Sequence, residues 1–197
     1  MRKLQLEMQV SLDGFVAARD KGMRWCLWEY VGDWTWDKEL QKYHTDMTAS
    51  IDTVLLGWQM AEGGFIDHWA RIAGDTGNPQ ATFAGHVTRA KKIIFSRQPR
   101  TPRWENAEMA KGDLVTTVNQ LKQQDGKDLI VYGGVAFVSA LVGAGLIDEY
   151  HFIVNPTAIG QGESIFKTMT GPLHLSLQSA RQYTCGITVL VYSRPLI

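Results

Sequence analysis

Leu129-Ile130-Val131-Tyr132-Gly133-Gly134-Val135-Ala136-Phe137 runs from a short apolar stretch through two glycines into the start of a second apolar segment. An apolar run closed by glycine reads as a strand covered on both faces, the kind found inside parallel sheets. After the glycines, Phe137, Val138, Leu141 and Val142 recur at helical spacing until Gly143 and Gly145 end the segment. Strand, tight turn and helix in that order form one half of a parallel crossover. Without Cβ atoms the turn lets backbone approach a ligand closely, and the free N–H groups of the new helix suit a phosphate or pyrophosphate. The same glycines would also make a tight turn with no ligand, and both readings stand at this point.

Upstream, Asp113 can cap a helix with the stripe Leu114, Val118 and Leu121, stopped by Asp125-Gly126. Residues 92–96 and 53–57 are two more buried-type strands, and the second belongs in the middle of the sheet. Residues 3–10 alternate: Leu4, Leu6, Met8 and Val10 share one side, and Lys3, Gln5, Glu7 and Gln9 the other, which predicts a half-exposed strand. Trp36, Leu40, Tyr43 and Met47 predict a helix over about 36–49, with Asp37 and Glu39 in the first turn where the helix dipole favours negative charge. Residues 62–91 are broken by glycines and read as a functional loop or a set of short helices. A strand follows at about 149–155, then two runs, 173–183 and 186–193, joined by Thr184-Cys185-Gly186. Three residues cannot make a crossover, so that last pair is antiparallel. The predicted class is a three-layer α/β fold with a mainly parallel central sheet and antiparallel C-terminal strands. Residues 1–197 read as one domain, with no repeat and no linker-like tract.

The chain of 197 residues is 45% hydrophobic, enough for a sizeable core. Its 20 basic residues balance 20 acidic ones, which argues against binding a nucleic-acid backbone. Two cysteines, Cys26 and Cys185, are too few for a disulfide framework and fit a reducing cytoplasm. Gln5, Glu7 and Gln9 interrupt the residues after Met1-Arg2-Lys3, so no signal sequence is read, and no apolar stretch reaches bilayer-spanning length. The five histidines fall in different elements at no ligand spacing, so no metal is expected and each reads as a surface or satisfied polar residue. The nucleophile-elbow, P-loop and dinucleotide fingerprints are absent. Trp25, Trp28, Trp34 and Trp36 crowd among Gly22, Gly32 and Asp33, which predicts a loop lined with aromatic rings. Strand ends near Gly57, Ser96 and Gly133 would share one sheet edge, where α/β folds bind ligands.

Several of these segments together resemble the dihydrofolate reductase-like superfamily: Ser11-Leu12-Asp13-Gly14-Phe15-Val16-Ala17, Leu55-Leu56-Gly57, the Ser96 strand end, Val131-Tyr132-Gly133-Gly134, Leu146-Ile147-Asp148-Glu149, Asn155-Pro156 and Ile159-Gly160-Gln161-Gly162. More narrowly, the chain resembles stand-alone proteins similar to the reductase domain of the bacterial bifunctional riboflavin-biosynthesis enzyme. That enzyme's deaminase half, with its zinc signature, has no counterpart here. The resemblance implies NADPH as cofactor, with Val16 and Ala17 near the nicotinamide and Met23-Arg24-Trp25 as a covering loop. It places Gly57 and the following Trp58, Gln59 and Met60 near phosphate groups, and Ser96 and Arg97 beside the adenosine 2′-phosphate. Tyr132, Gly133, Gly134, Val135, Ala136 and Phe137 would lie along the pyrophosphate, and the Arg97 charge would favour NADPH over NADH.

Two departures from the family pattern matter. Trp58 and Met60 stand where arginine and a hydroxyl residue are usual, so a phosphate clamp is lost, and Trp58 could instead stack on adenine. The acid that protonates the pterin in folate-reducing relatives aligns near Gln41, which speaks against folate reduction. Asp37 is the candidate proton donor, against its other reading as a helix cap, and Asp13 before glycine also reads as turn chemistry. The implied activity is hydride transfer to a small pterin- or pyrimidine-like heterocycle. The alternative is a non-catalytic binding protein that keeps the fold. The resemblance implies a homodimer paired through the last strands, although edge strands can equally be covered by their own chain.

Overall fold

β1 (Leu4–Val10) runs through the interior of the central sheet, hydrogen-bonded in parallel to β6 (Asp128–Val131) on one side and β7 (Glu149–Val154) on the other. The structure, a computed structural model, describes residues 1–27 and 36–195. Beyond β6 lie β3 (Ile51–Gly57), β4 (Lys91–Phe95) and the short β5 (Ala107–Met109), all parallel. Beyond β7 lie β10 (Thr188–Ser193) and the edge strand β9 (Ser176–Gln182), both antiparallel to their neighbours. The sheet order is therefore β5-β4-β3-β6-β1-β7-β10-β9. A separate two-stranded ladder joins β2 (Ala17–Ala18) to β8 (Gly162–Glu163). This is the predicted α/β class, with a mainly parallel sheet and antiparallel C-terminal strands, of which β9 and β10 are joined by a tight turn.

Helices cover both faces. On one, α5 (Leu114–Gln123) and α6 (Val135–Gly143) send Val118, Leu121, Val138 and Leu141 against Leu4, Leu6, Leu129 and Val131. On the other, Met47 of α1 (Lys38–Ala49) packs with Val54, Leu56 and Ile130, and Leu40 packs with Ile153 and Val189. Each such fully buried aliphatic side chain contributes about 1.5–3 kcal/mol. The glycine-broken stretch 62–91 holds helices, as one of its two readings allowed. After α2 (Trp58–Glu62) come α3 (Phe65–Ala73) and α4 (Ala81–Arg89), which pack on each other through Trp69, Ile72, Phe83 and Val87.

Three expectations need correcting. β1 is not half-exposed: Gln5 and Glu7 are each 6% exposed, because the strand is interior and α1 covers the face they occupy. Trp25 and Trp36 are buried rather than lining an open loop, and Trp28 and Trp34 lie outside the described residues. β2, β5 and β8 were missed because two or three residues carry no period to read.

Candidate active site

After β1 the chain crosses to α1 on one face of the sheet, and after the adjacent β6 it turns to α6 on the other. Connections that leave neighbouring parallel strands on opposite faces open a crevice between them at their C-terminal ends. A cleft of about 740 Å³ lies there. Glu7, Met8 and Gln9 of β1 and the turn Tyr132-Gly133-Gly134-Val135 line it, joined by Val16, Trp25, Cys26, His44, Gln59 and Met60. Its remaining wall is Gly63-Gly64-Phe65, His68, Trp69 and Phe83.

Glu7 and His44 are the paired polar groups of the cleft. His44 lies on the inner face of α1, one turn from Leu40, so folding the helix onto the sheet carries its Nε2 to 2.8 Å from Glu7 Oε1. The imidazole stacks on Phe83, with ring centroids 3.9 Å apart and planes 22° apart. Trp69 meets Phe83 edge-on at 4.7 Å, and Tyr132 packs against both Phe65 and Phe83. The Tyr132 hydroxyl bonds Thr48 Oγ1 at 3.1 Å. Burial, and then the charge of Glu7, push the Tyr132 phenol well above its usual value, so it stays protonated. Burial, and then the Arg71 charge, lower His68, which favours its neutral form.

A polar knot holds the strap that carries Trp25 and Cys26. Asn155, wholly buried at the end of β7, donates from Nδ2 to Gln9 Oε1 at 2.9 Å and accepts from the Leu27 N–H at 2.9 Å. Cys26 Sγ donates to the same Gln9 oxygen at 2.9 Å. Asp13 ties the neighbouring loop, accepting from Ser11 Oγ at 2.6 Å and from the Ile159 and Gly160 N–H groups.

Of the residues singled out from sequence, Val16, Trp25, Gln59, Met60, Tyr132, Gly133, Gly134 and Val135 line the cleft, and the others lie around or outside it. Gly57 ends β3 on the same edge, but a Cβ there would lie 3.2 Å from Phe137 Cβ, so its bareness makes room for α6. Phe137 itself packs on Phe95, with centroids 5.1 Å apart. Ala136 is exposed, and Ala17 is paired to Glu163 in the small ladder. Ser96 and Arg97 are exposed beyond β4, where Ser96 Oγ accepts from the Gln98 N–H. Trp58 donates from Nε1 to Glu62 at 2.9 Å and carries the Arg100 guanidinium over its ring at 5.2 Å.

Asp37 does not line the cleft. One oxygen caps α1 by accepting from the Leu40 N–H at 2.9 Å, and the other accepts from Thr184 Oγ1 at 2.8 Å and the Cys185 N–H at 3.2 Å. Burial alone would raise this carboxyl, but these bonds outweigh it and hold it below its usual value. In the structure it is a charged cap that clamps the β9–β10 turn, a geometry that leaves it no proton to donate at neutral pH. Sequence reasoning missed Glu7, Gln9, His44 and His68. Among the described residues no three His, Cys, Asp or Glu side chains gather closely enough to hold a metal ion, and no helix is long and apolar enough to cross a membrane.

The turn at the head of α6 fits a nucleotide cofactor. Gly134 adopts φ +80°, a conformation that glycine takes without strain, and no side chain caps the helix, so the first-turn N–H groups are open to an anion. Gly133 and Gly134 would hold the phosphates, while Val16 and Trp25 stand on the cleft side of the turn.

Comparison with known proteins agrees with this architecture. The chain is 26% identical over 193 residues to YyaP of Bacillus subtilis (strain 168), covering 97% of this chain and 94% of YyaP. Among solved structures, a protein of Shewanella sp. PV-4 assigned to riboflavin biosynthesis superposes with TM-score 0.71 at 17% identity, covering 98% of this chain and 99% of that one. The diaminohydroxyphosphoribosylaminopyrimidine deaminase/5-amino-6-(5-phosphoribosylamino)uracil reductase of Thermotoga maritima superposes with TM-score 0.67 at 16% identity, and 98% of this chain covers 57% of that longer one. The model of the RibD C-terminal domain matches residues 2–189, and the chain belongs to that family.

Proposed function

We propose that the protein is an NADPH-dependent reductase that transfers hydride to a small, pterin- or pyrimidine-like heterocycle bound in the cleft. One observation carries this reading: the bare Gly133–Gly134 turn at the head of α6 and the Glu7–His44 pair on β1 and α1 face the same cleft. Bound NADPH supplies the hydride. The protein supplies orientation and a pair of polar groups: Glu7 Oε1 lies 2.8 Å from His44 Nε2 at the cleft wall. The aromatic walls from Phe65, Trp69, Phe83 and Tyr132 suit a flat ring. Arg97 is assigned to the 2′-phosphate, and Arg100, stacked on Trp58, returns a guanidinium to the strand-end surface where the family arginine is missing.

Trp25 and Trp69 line the cleft, so tryptophan emission reports its occupancy. NADPH should quench that emission, and Arg97→Ala should weaken NADPH selectively over NADH. Absence of quenching at millimolar NADPH ends the reductase reading, and equal losses for both nucleotides remove Arg97 from the phosphate. Quenching without NADPH oxidation by any small carbonyl or imine would favour the binding-protein reading instead.

A further inference from the structure

Glu7 uses one oxygen and leaves the other unmatched. Its Oε1 lies 2.8 Å from His44 Nε2, but its Oε2 is buried and has no hydrogen-bond partner among the described residues. It is the one carboxylate oxygen among the buried polar atoms so placed, and Glu7 lines the cleft with its side chain only 7% exposed. A buried acceptor that carries charge and lacks a donor is costly, and such costs concentrate where a ligand completes the bond. Two neighbouring polar atoms are engaged elsewhere. The Tyr132 hydroxyl is paired with Thr48 Oγ1, and Gln9 Oε1 receives Asn155 and Cys26.

We infer that Glu7 Oε2 reads the substrate by accepting a single N–H, either a ring N–H or an exocyclic amino group, from a planar nitrogen heterocycle in the cleft. This rests on the reading of the cleft as the substrate site of a reductase. The donor is single because Oε1 is already engaged by His44. It lies in a ring plane because the space beside Glu7 is walled by stacked and edge-on rings, His44 on Phe83 and Trp69 against Phe83.

The test compares 2-aminopyrimidine with 2-methoxypyrimidine, rings of like shape of which only the first carries an N–H, binding to the full chain by calorimetry or tryptophan fluorescence. Wild type should prefer the amino compound by about tenfold or more, the worth of a hydrogen bond to a charged acceptor. Glu7→Gln should reduce that preference to within about threefold while its circular-dichroism spectrum matches that of wild type, which shows the variant to be folded. Equal binding of the two rings by wild type, binding of neither, or a preference that survives in Glu7→Gln overturns the inference. The wild-type comparison decides the matter even where the variant does not fold. NADPH quenching retained alongside any of those failures leaves the reductase reading intact, and its loss in wild type removes that reading separately.

Discussion

Asp37→Ala separates the two roles open to that residue. The substitution removes the N-cap bond to Leu40 at 2.9 Å and the bonds from Thr184 Oγ1 and the Cys185 N–H that join α1 to the β9–β10 turn. Loss of an N-cap costs about 1 kcal/mol. The two remaining bonds are partly solvent-exposed and together contribute about 1 kcal/mol. The total, about 2 kcal/mol, corresponds to a fall in Tm of about 4–8 °C for a chain of this size. Because hydrogen bonding holds the folded carboxyl below its unfolded value of 3.8, its stabilisation is present above that value and is lost as pH falls through the folded one. Urea unfolding followed by circular dichroism should therefore show a gap between wild type and variant at pH 7 that narrows under acid, with NADPH quenching unchanged. An unchanged urea midpoint would refute the clamp. Intact stability with abolished NADPH turnover would return Asp37 to the chemistry.

Two further titrations test buried charge away from the cleft. The Glu149 carboxyl is held at about 2 by hydrogen bonds from His151 at 2.7 Å and Lys3 at 3.1 Å, against burial that would raise it. The drop from 4.5 is worth on the order of 3 kcal/mol, present above pH 4.5 and lost as pH falls toward 2, so Glu149→Gln should be destabilised at pH 7 and converge on wild type in acid. A gap in urea midpoint that does not change with pH would contradict this. Burial pushes the Lys92 amine down to about 8, so below pH 8 the folded state carries the whole penalty of a buried ammonium. Between pH 8 and 10.5 the unfolded chain holds the extra proton and stability rises with pH. Lys92→Met, which also gives up the bond to the Thr88 carbonyl, should stabilise the protein by about 2 kcal/mol at pH 7 and by little at pH 10.5. A destabilised variant at pH 7 would show that the amine is better solvated than its position implies.

How far the site was legible in sequence is best seen in β1. Its alternation is strong enough to identify a strand, and simple alternation places its polar side in water. That inference holds for a sheet with one open face, as in antiparallel folds, but not for a strand flanked by parallel neighbours and covered on both faces. The chain order strand, helix, strand over residues 51–143 already makes the sheet parallel. An alternating strand inside such a sheet is a conflict between local pattern and global fold, and conflicts of that kind concentrate at functional sites. Gln5, Glu7 and Gln9 are that conflict: Gln5 and Glu7 are buried, and Glu7 meets His44 of α1. His44 carries the same signal. It sits four residues after Leu40 and three before Met47, on the buried stripe of its helix, where only a polar partner on the sheet makes it tolerable. The far wall of the cleft was out of reach for a different reason. Ile66, Trp69 and Ile72 do recur at helical spacing, but Gly63, Gly64 and Gly74 confine α3 to nine residues, too few for the period to stand out. The glycine turn at 133–134 was readable because strand, turn and helix are contiguous there. The Glu7–His44 pair was not, because its two halves are 37 positions apart and only the packing of α1 on β1 makes them one unit. Polar residues on the covered face of an interior strand therefore point to a site before any motif does, and here they point to the carboxylate on which the substrate assignment turns.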